Sequence, residues 1–169
     1  MRYTTFAGVA LLLITTQSVC AAGNPVQVNL HGTLIEPPPC TINNGNVIDV
    51  DFGDRVGTSG VDGNSYKQAV NYQITCEDNP QNAPWVLGLT VLGTSTDFDD
   101  AAIATSIAGT TNPDFGIKLL IGGDNFTLNQ RVDISAGNKV LEAVPVKRAG
   151  STLPEGVFDA YATLLADYQ

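Results

Sequence analysis

Apolar and polar positions alternate with a period of two along most of this chain, and no stretch carries the period of an amphipathic helix. Val26, Val28, Leu30, Gly32 and Leu34 alternate with Gln27, Asn29, His31 and Thr33, which predicts an extended strand. Pro37-Pro38-Pro39 stops it, because proline cannot donate to a ladder. Ile48, Val50 and Phe52 alternate with Asp49 and Asp51; Val70, Tyr72, Ile74 and Cys76 form another run. Between them Gly53 to Ser65 is turn material, and Glu77 to Ala83 reads as a loop. Trp85 to Leu92 is almost continuously apolar, as a central strand would be. Gly93 to Asp100 reads as a polar, mobile loop, and the alanines of Ala101 to Ala108 allow a helical turn. Strands are expected at Phe115 to Ile121, Arg131 to Ile134 and Lys139 to Lys147, with Pro145 marking an edge or a bulge in the last. Gly122 to Asn125 and Pro154-Glu155-Gly156 are turns. The clearest run comes last: Gly156, Phe158, Ala160, Ala162, Leu164, Ala166 and Tyr168 fall on one face, and Gln169 follows. Short strands with regular turn signals predict one all-β domain of the immunoglobulin-like sandwich type.

Composition supports a folded domain. Hydrophobic residues are 43% of the chain and charged ones 15%. The formal charge of -9 disfavours nucleic acid, whose phosphates need Lys and Arg. The beginning of the chain changes the picture more. Arg2, the apolar run Phe6 to Ile14 and the small residues around Ala21 have the form of a secretory signal peptide, residues 1–21, with cleavage expected after Ala21 or Ala22. The apolar run is too short to span a bilayer as a helix. Gln17-Ser18-Val19 before Cys20 does not match a lipobox, which argues against a lipid anchor. Removal of Cys20 leaves Cys40 and Cys76, an even pair in an exported chain, and hence a disulfide; two buried free thiols are the alternative. The bond would close a loop of about 36 residues, worth roughly 3–4 kcal/mol on the chain-entropy model.

Candidate chemistry is thin. A Ser–His–Asp or Cys–His arrangement would need His31, which lies among the polar positions of the first strand. Asp51-Phe52-Gly53 and Asp114-Phe115-Gly116 spell the kinase metal triplet, without a glycine-rich loop or catalytic-loop motif beside either. Asp97, Asp99 and Asp100 have the residue types of glycosidase acids or calcium ligands, but a solvated acidic loop explains them as well. Asn125-Phe126-Thr127 matches the glycosylation acceptor pattern, which is frequent by chance. No enzyme, cofactor or metal site is expected.

The two ends together carry the functional reading. The last strand is alternating and is expected to leave one edge without a partner. Before the domain stands an extra alternating strand, set off by three prolines. Five apolar positions left in water are costly, at about 1.5–3 kcal/mol per large side chain, and a bare edge invites aggregation. Each defect can repair the other on a different molecule, by strand addition. Such a head-to-tail contact does not close on itself and generates filaments.

The chain resembles the chaperone–usher pilus (fimbrial) subunits, most closely the minor tip and adaptor subunits of P-pilus-type fimbriae. The resemblance covers nearly the whole chain and rests on V-x-V-x-L-x-G-x-L (Val26 to Leu34), PPPCTINNG (Pro37 to Gly45), VIDVDFGD (Val47 to Asp54), the cysteines Cys40 and Cys76, the late glycine Gly156 and the penultimate Tyr168. It implies a donor-strand extension over residues 22–36 and a pilin domain over 37–169. The pilin domain would be an incomplete immunoglobulin-like sandwich lacking its seventh strand, completed by donor-strand complementation. Val26, Val28, Leu30, Gly32 and Leu34 would enter a neighbouring subunit. Gly156, Phe158, Ala160, Ala162, Leu164, Ala166 and Tyr168 would border the acceptor groove. A periplasmic chaperone would fill that groove first and hold the carboxylate of Gln169, and an outer-membrane usher would exchange the chaperone for the next subunit. The chain would reach the cell-surface pilus through the periplasm and support cell adhesion there. A major rod subunit, a terminator and a self-complete secreted sandwich that binds a ligand are the alternatives. The short stretch before Cys40 leaves no room for an adhesin's receptor domain.

Overall fold

The computed structural model describes residues 23–77, 84–135, 137 and 139–169. The expected signal peptide and its cleavage site, and most of the Glu77 to Ala83 loop, lie outside the described residues. The chain divides into two compact units, Met1–Leu34 and Ile35–Gln169.

In the first unit, residues 23–34 form no regular secondary structure. Their side chains nonetheless sort as an extended chain requires. Gln27 Nε2 donates to Asn29 Oδ1 at 3.0 Å, so these two polar side chains share one side. Val26, Val28, Leu30 and Leu34 are exposed, at 84%, 73%, 90% and 101%. The expected strand at Val26 to Leu34 is therefore extended chain without a ladder. Alternation alone does not make a strand; a hydrogen-bonding partner does.

The second unit is all-β, with every strand pair antiparallel. In chain order the strands are β1 (Cys40–Ile42), β2 (Gln68–Ala69), β3 (Ile74–Cys76), β4 (Leu87–Leu92), β5 (Ala102–Ile107), β6 (Thr110–Ile121), β7 (Asp124–Asn125), β8 (Arg131–Asp133), β9 (Leu141–Lys147), β10 (Phe158–Ala160) and β11 (Thr163–Tyr168). One sheet runs β10-β5-β6-β9-β2, with β7 folded onto β6; a second runs β11-β4-β8; β1 and β3 pair separately. The sheets enclose one apolar core. Leu89 and Val91 of β4 and Ala166 of β11 meet Ile103, Ile107, Phe115, Ile117, Leu119, Ile121, Leu141 and Ala143 of the larger sheet.

Several elements depart from the sequence reading. Ala102–Ile107 is a strand rather than a helical turn, because Ile103, Thr105 and Ile107 all point into the core. β6 starts at Thr110, earlier than expected. Its pairing with β5 slips between Ala104↔Gly116 and Thr105↔Asn112, so Pro113, Asp114 and Phe115 form a bulge. The bulge accommodates Pro113, which has no N–H for a regular ladder. Gly116 closes the bulge where a Cβ would meet Thr96 Cγ2 at 2.7 Å. Pro145 sits inside β9, opposite Ile117 of β6. Its carbonyl accepts from the Gly63 N–H at 3.2 Å, so its missing N–H lies on the side facing away from β6, beyond the end of short β2. The proline is thus at a local edge of an otherwise interior strand. The run Ile48, Val50, Phe52 keeps its alternation without a ladder of its own.

The loop from Gly93 to Asp100 is better anchored than its composition suggests. Thr96 is buried; its hydroxyl donates to the Asp99 carbonyl at 2.9 Å and accepts from the Asp99 N–H at 3.1 Å. Asp99 pairs with Lys118 at 2.6 Å and Asp97 with Arg148. Arg148 also binds Asp114 of the bulge at 2.6 Å and lies over the Phe98 ring at 5.2 Å. Two of the three acids are therefore paired with cations, and among the described residues no cluster of three or more His, Cys, Asp or Glu side chains could hold a metal.

Candidate interaction groove

The final alternating run does not form one strand. Phe158–Ala160 pairs with β5 of the large sheet, with Phe158 opposite Ile107. Thr163–Tyr168 pairs with β4 of the small sheet, with Tyr168 opposite Leu87. Tyr161 and Ala162 carry the chain from one sheet to the other. Gly156 opens the run at φ 152°, where a Cβ would lie 3.0 Å from Ile107 Cγ2.

The two edges of β11 differ. Val86 and Gln169 exchange N–H···O=C bonds of 2.7 and 3.1 Å, which marks them as a hydrogen-bonded pair. Counting back by twos, Asp167, Leu165 and Thr163 also bond towards β4. Leu164, Ala166 and Tyr168 must then point their N–H and C=O groups the other way. On that side no described strand joins the ladder. β1 runs nearby, with Cα atoms within 8 Å of β11, yet β1 pairs only with β3. The Cys40–Cys76 disulfide fixes β1 there: the two cysteines are opposite residues of the β1–β3 pair, Cα atoms 4.0 Å apart. The exported-pair reading of the cysteines is therefore met.

Several segments of the domain share a burial pattern. Ile48, Val50, Phe52 and Val56 are half-buried and alternate with exposed residues. Val70, Tyr72, Ile74 and Cys76 repeat the pattern, as do Phe158 and Ala160. Val50, Phe52, Val56, Val70, Tyr72, Ile74, Phe158 and Ala160 pack against the core without being closed over by it. Phe158 stacks between Phe52, at 5.8 Å and 48°, and Phe115, at 5.1 Å edge-on. Tyr72 donates to the Lys139 carbonyl at 2.7 Å, and burial raises its pKa.

Of the acceptor residues expected from sequence, Ala166 is buried, Phe158, Ala160, Leu164 and Tyr168 are half-buried, and Gly156, Ala162 and Gln169 are exposed. Alternation could not reveal the change of sheet. The sequence reading put Phe52 and Phe115 in alternating or strand segments but did not reveal the aromatic cluster they form with Phe158. Arg131 ties β8 to β11 through Asp167, Nε to Oδ1 at 3.1 Å. One signal could have flagged it: only 8 residues of the chain are Lys or Arg.

The family model described as "Fimbrial protein" matches residues 28–169. The chain belongs to this family. It is 39% identical to the fimbrial-like protein YfcQ of Escherichia coli (strain K12) over 163 residues, covering 94% of this chain and 97% of the relative. It is 28% identical to the minor fimbrial protein PrsF of Escherichia coli, covering 93% and 94%. The P pilus adaptor subunit PapF superposes with a TM-score of 0.57 at 27% identity, over 79% of this chain and 98% of that one. The P pilus rod subunit PapA gives the same TM-score at 18% identity, over 85% and 100%, a likeness of fold alone. The fold is thus the immunoglobulin-like sandwich of pilin subunits, and the chain is a fimbrial subunit of the chaperone–usher class. The family is one of structural pilus components rather than enzymes.

Proposed function

We propose that this fimbrial subunit assembles by donor-strand exchange, as an acceptor through the groove beside β11 and as a donor through Val26, Val28, Leu30, Gly32 and Leu34. One observation carries the reading: Leu164, Ala166 and Tyr168 turn their amides away from β4, to an edge that no described strand pairs. An added strand would satisfy those amides and cover Leu164, Phe158, Ala160 and Phe52 with its own apolar side chains. The alternation of Val26 to Leu34 supplies such a strand, and Gly32 has no heavy atom within 4 Å of where a Cβ would stand. A periplasmic chaperone would occupy the groove of the new subunit and an outer-membrane usher would exchange it, so the chain would pass through the periplasm to the cell-surface pilus.

The rank we favour is a minor tip or adaptor subunit that supports adhesion. PrsF is named as minor and PapF as an adaptor, and both have higher identity to this chain than the rod subunit does. A major rod subunit is the second reading, since the two P pilus folds superpose equally well.

Deletion of Asn24 to Glu36 tests the donor role. The truncated subunit should still be captured by a neighbour's donor but should fail to extend the pilus beyond itself. A truncated subunit that still extends the pilus would overturn the reading. Counting antibody-labelled copies per pilus decides the rank: a few copies near the tip fit an adaptor, and labelling along the shaft fits a rod subunit.

A further inference from the structure

Among the described residues β11 has one ladder partner, so its position depends on whatever else ties it to β4. Arg131 supplies that tie. It stands on β8, opposite Thr90 of β4, and its guanidinium reaches across β4 to β11. Nε donates to Asp167 Oδ1 at 3.1 Å, and Nη2 donates to the Asp167 carbonyl at 3.2 Å and to the Val86 carbonyl. One side chain thereby joins β8 to β11 and to Val86, the residue just before β4. The planar fork of arginine allows this; a lysine ammonium is a point donor.

Gly88 makes room for it. A Cβ at Gly88 would stand 2.1 Å from Arg131 Cζ and 2.2 Å from Nε. Gly88 does not have a positive φ, so the glycine is needed for space rather than for a turn. Gly88, Asp167 and Arg131 lie on the outer face of the sheet. Leu89 and Ala166 point into the core from the opposite face. A strand added at the edge of β11 would present its apolar side chains to the core face, away from Arg131.

We propose that Arg131 and Gly88 form a clamp that fixes the outward amides of β11 and thereby sets how tightly the groove captures an extended strand. Arg131 is a positioning residue: it acts through β11 and not by touching the guest. The proposal rests on the groove being the acceptor.

The test uses the full exported chain and a fluorescent peptide of residues 24–36, with binding followed by anisotropy. All variants are compared at a temperature where near-UV dichroism shows them equally folded. Losing a forked charge-assisted contact should weaken peptide binding roughly tenfold in Arg131→Ala. Gly88→Ala should do the same with Arg131 intact, by displacing the guanidinium. Arg131→Lys should restore only part of the affinity. Arg148→Ala breaks a comparable cation cluster on the other sheet and should leave affinity within about twofold of wild type. Hydrogen exchange at Leu164, Ala166 and Tyr168 should quicken in the two clamp variants and not in Arg148→Ala. The clamp is overturned if wild type binds the peptide and Arg131→Ala binds it equally well, or if Arg148→Ala weakens binding as much. A wild-type chain that captures no peptide removes the groove reading itself, and the clamp's role falls with it.

Discussion

β9 and β11 are antiparallel strands of nearly equal length, and both carry apolar side chains on alternate positions. β9 lies between β6 and β2. Its inward Leu141 and Ala143 are buried in the main core, and its outward Val144 and Val146 are buried as well, against Ala102 and under Phe98 and Leu120. β11 has β4 on one side and no described ladder partner on the other. Only Ala166 among its side chains is buried. Similar alternation thus yields a finished strand in one place and an unfinished one in the other. The difference is set by neighbours, not by the strands' own residues.

The largest effect should come from blocking the unfinished side. Ala166→Asp puts a carboxylate where the core closes over β11, and an unpaired buried charge costs several kcal/mol. Capture of the peptide of residues 24–36 should vanish, and a variant that still binds it would break the contrast. Next, the two strands should differ when trimmed. Leu141→Ala in β9 should cost about 2–5 kcal/mol in urea unfolding, as a fully buried leucine does. Leu164→Ala in β11 should cost only about 1 kcal/mol in the free subunit, because the leucine is already half in water. With donor peptide bound, Leu164 is covered, and the two costs should converge. Equal costs without peptide would mean that β11 is already finished.

A smaller effect concerns acid. Asp62 is held below its usual pKa of 3.8 by the backbone N–H groups of Ser65 and Asn64, and Asp133 by the side chain and backbone of Ser135. A carboxyl lowered in the folded state contributes stability that is complete above its unfolded value and is lost as pH falls through the lowered one. The urea midpoint should therefore drop modestly between about pH 5 and about pH 3. Asp62 is in an exposed turn and Asp133 is exposed at the end of β8, so the gap between Leu141→Ala and Leu164→Ala should not change with pH. A gap that closes in acid would link these carboxyls to the groove.

Much of the β-architecture was legible because a strand buried on one face leaves a period-two trace. That trace and the strand signals around it placed β9 and the core half of β6, a nearly continuous apolar run placed β4, and the alternation after Gly156 marked β10 and β11 as extended, though the structure divides them between two sheets. The trace was silent where the cause lay in distant residues. The composition of Ala101 to Ala108 was ambiguous and allowed a helical turn, and the place of Ala102–Ile107 between β6 and β10 made it a strand. The bulge at Pro113 answers to the register of β5. Asp97 and Asp99 looked like free loop acids until Arg148 and Lys118 were brought beside them.

The sequence by itself determined which side chains alternate, that Cys40 and Cys76 pair, and that an alternating apolar segment precedes the domain. These are local facts, fixed by spacing and residue type. The tertiary structure alone decided that the last run changes sheets at Tyr161 and Ala162, that the outer amides of β11 face no ladder partner, and that Arg131 reaches Asp167 across Gly88. Each of these depends on which strands become neighbours, and residues as distant in the chain as Val86, Arg131 and Asp167 meet only when the sheet has closed.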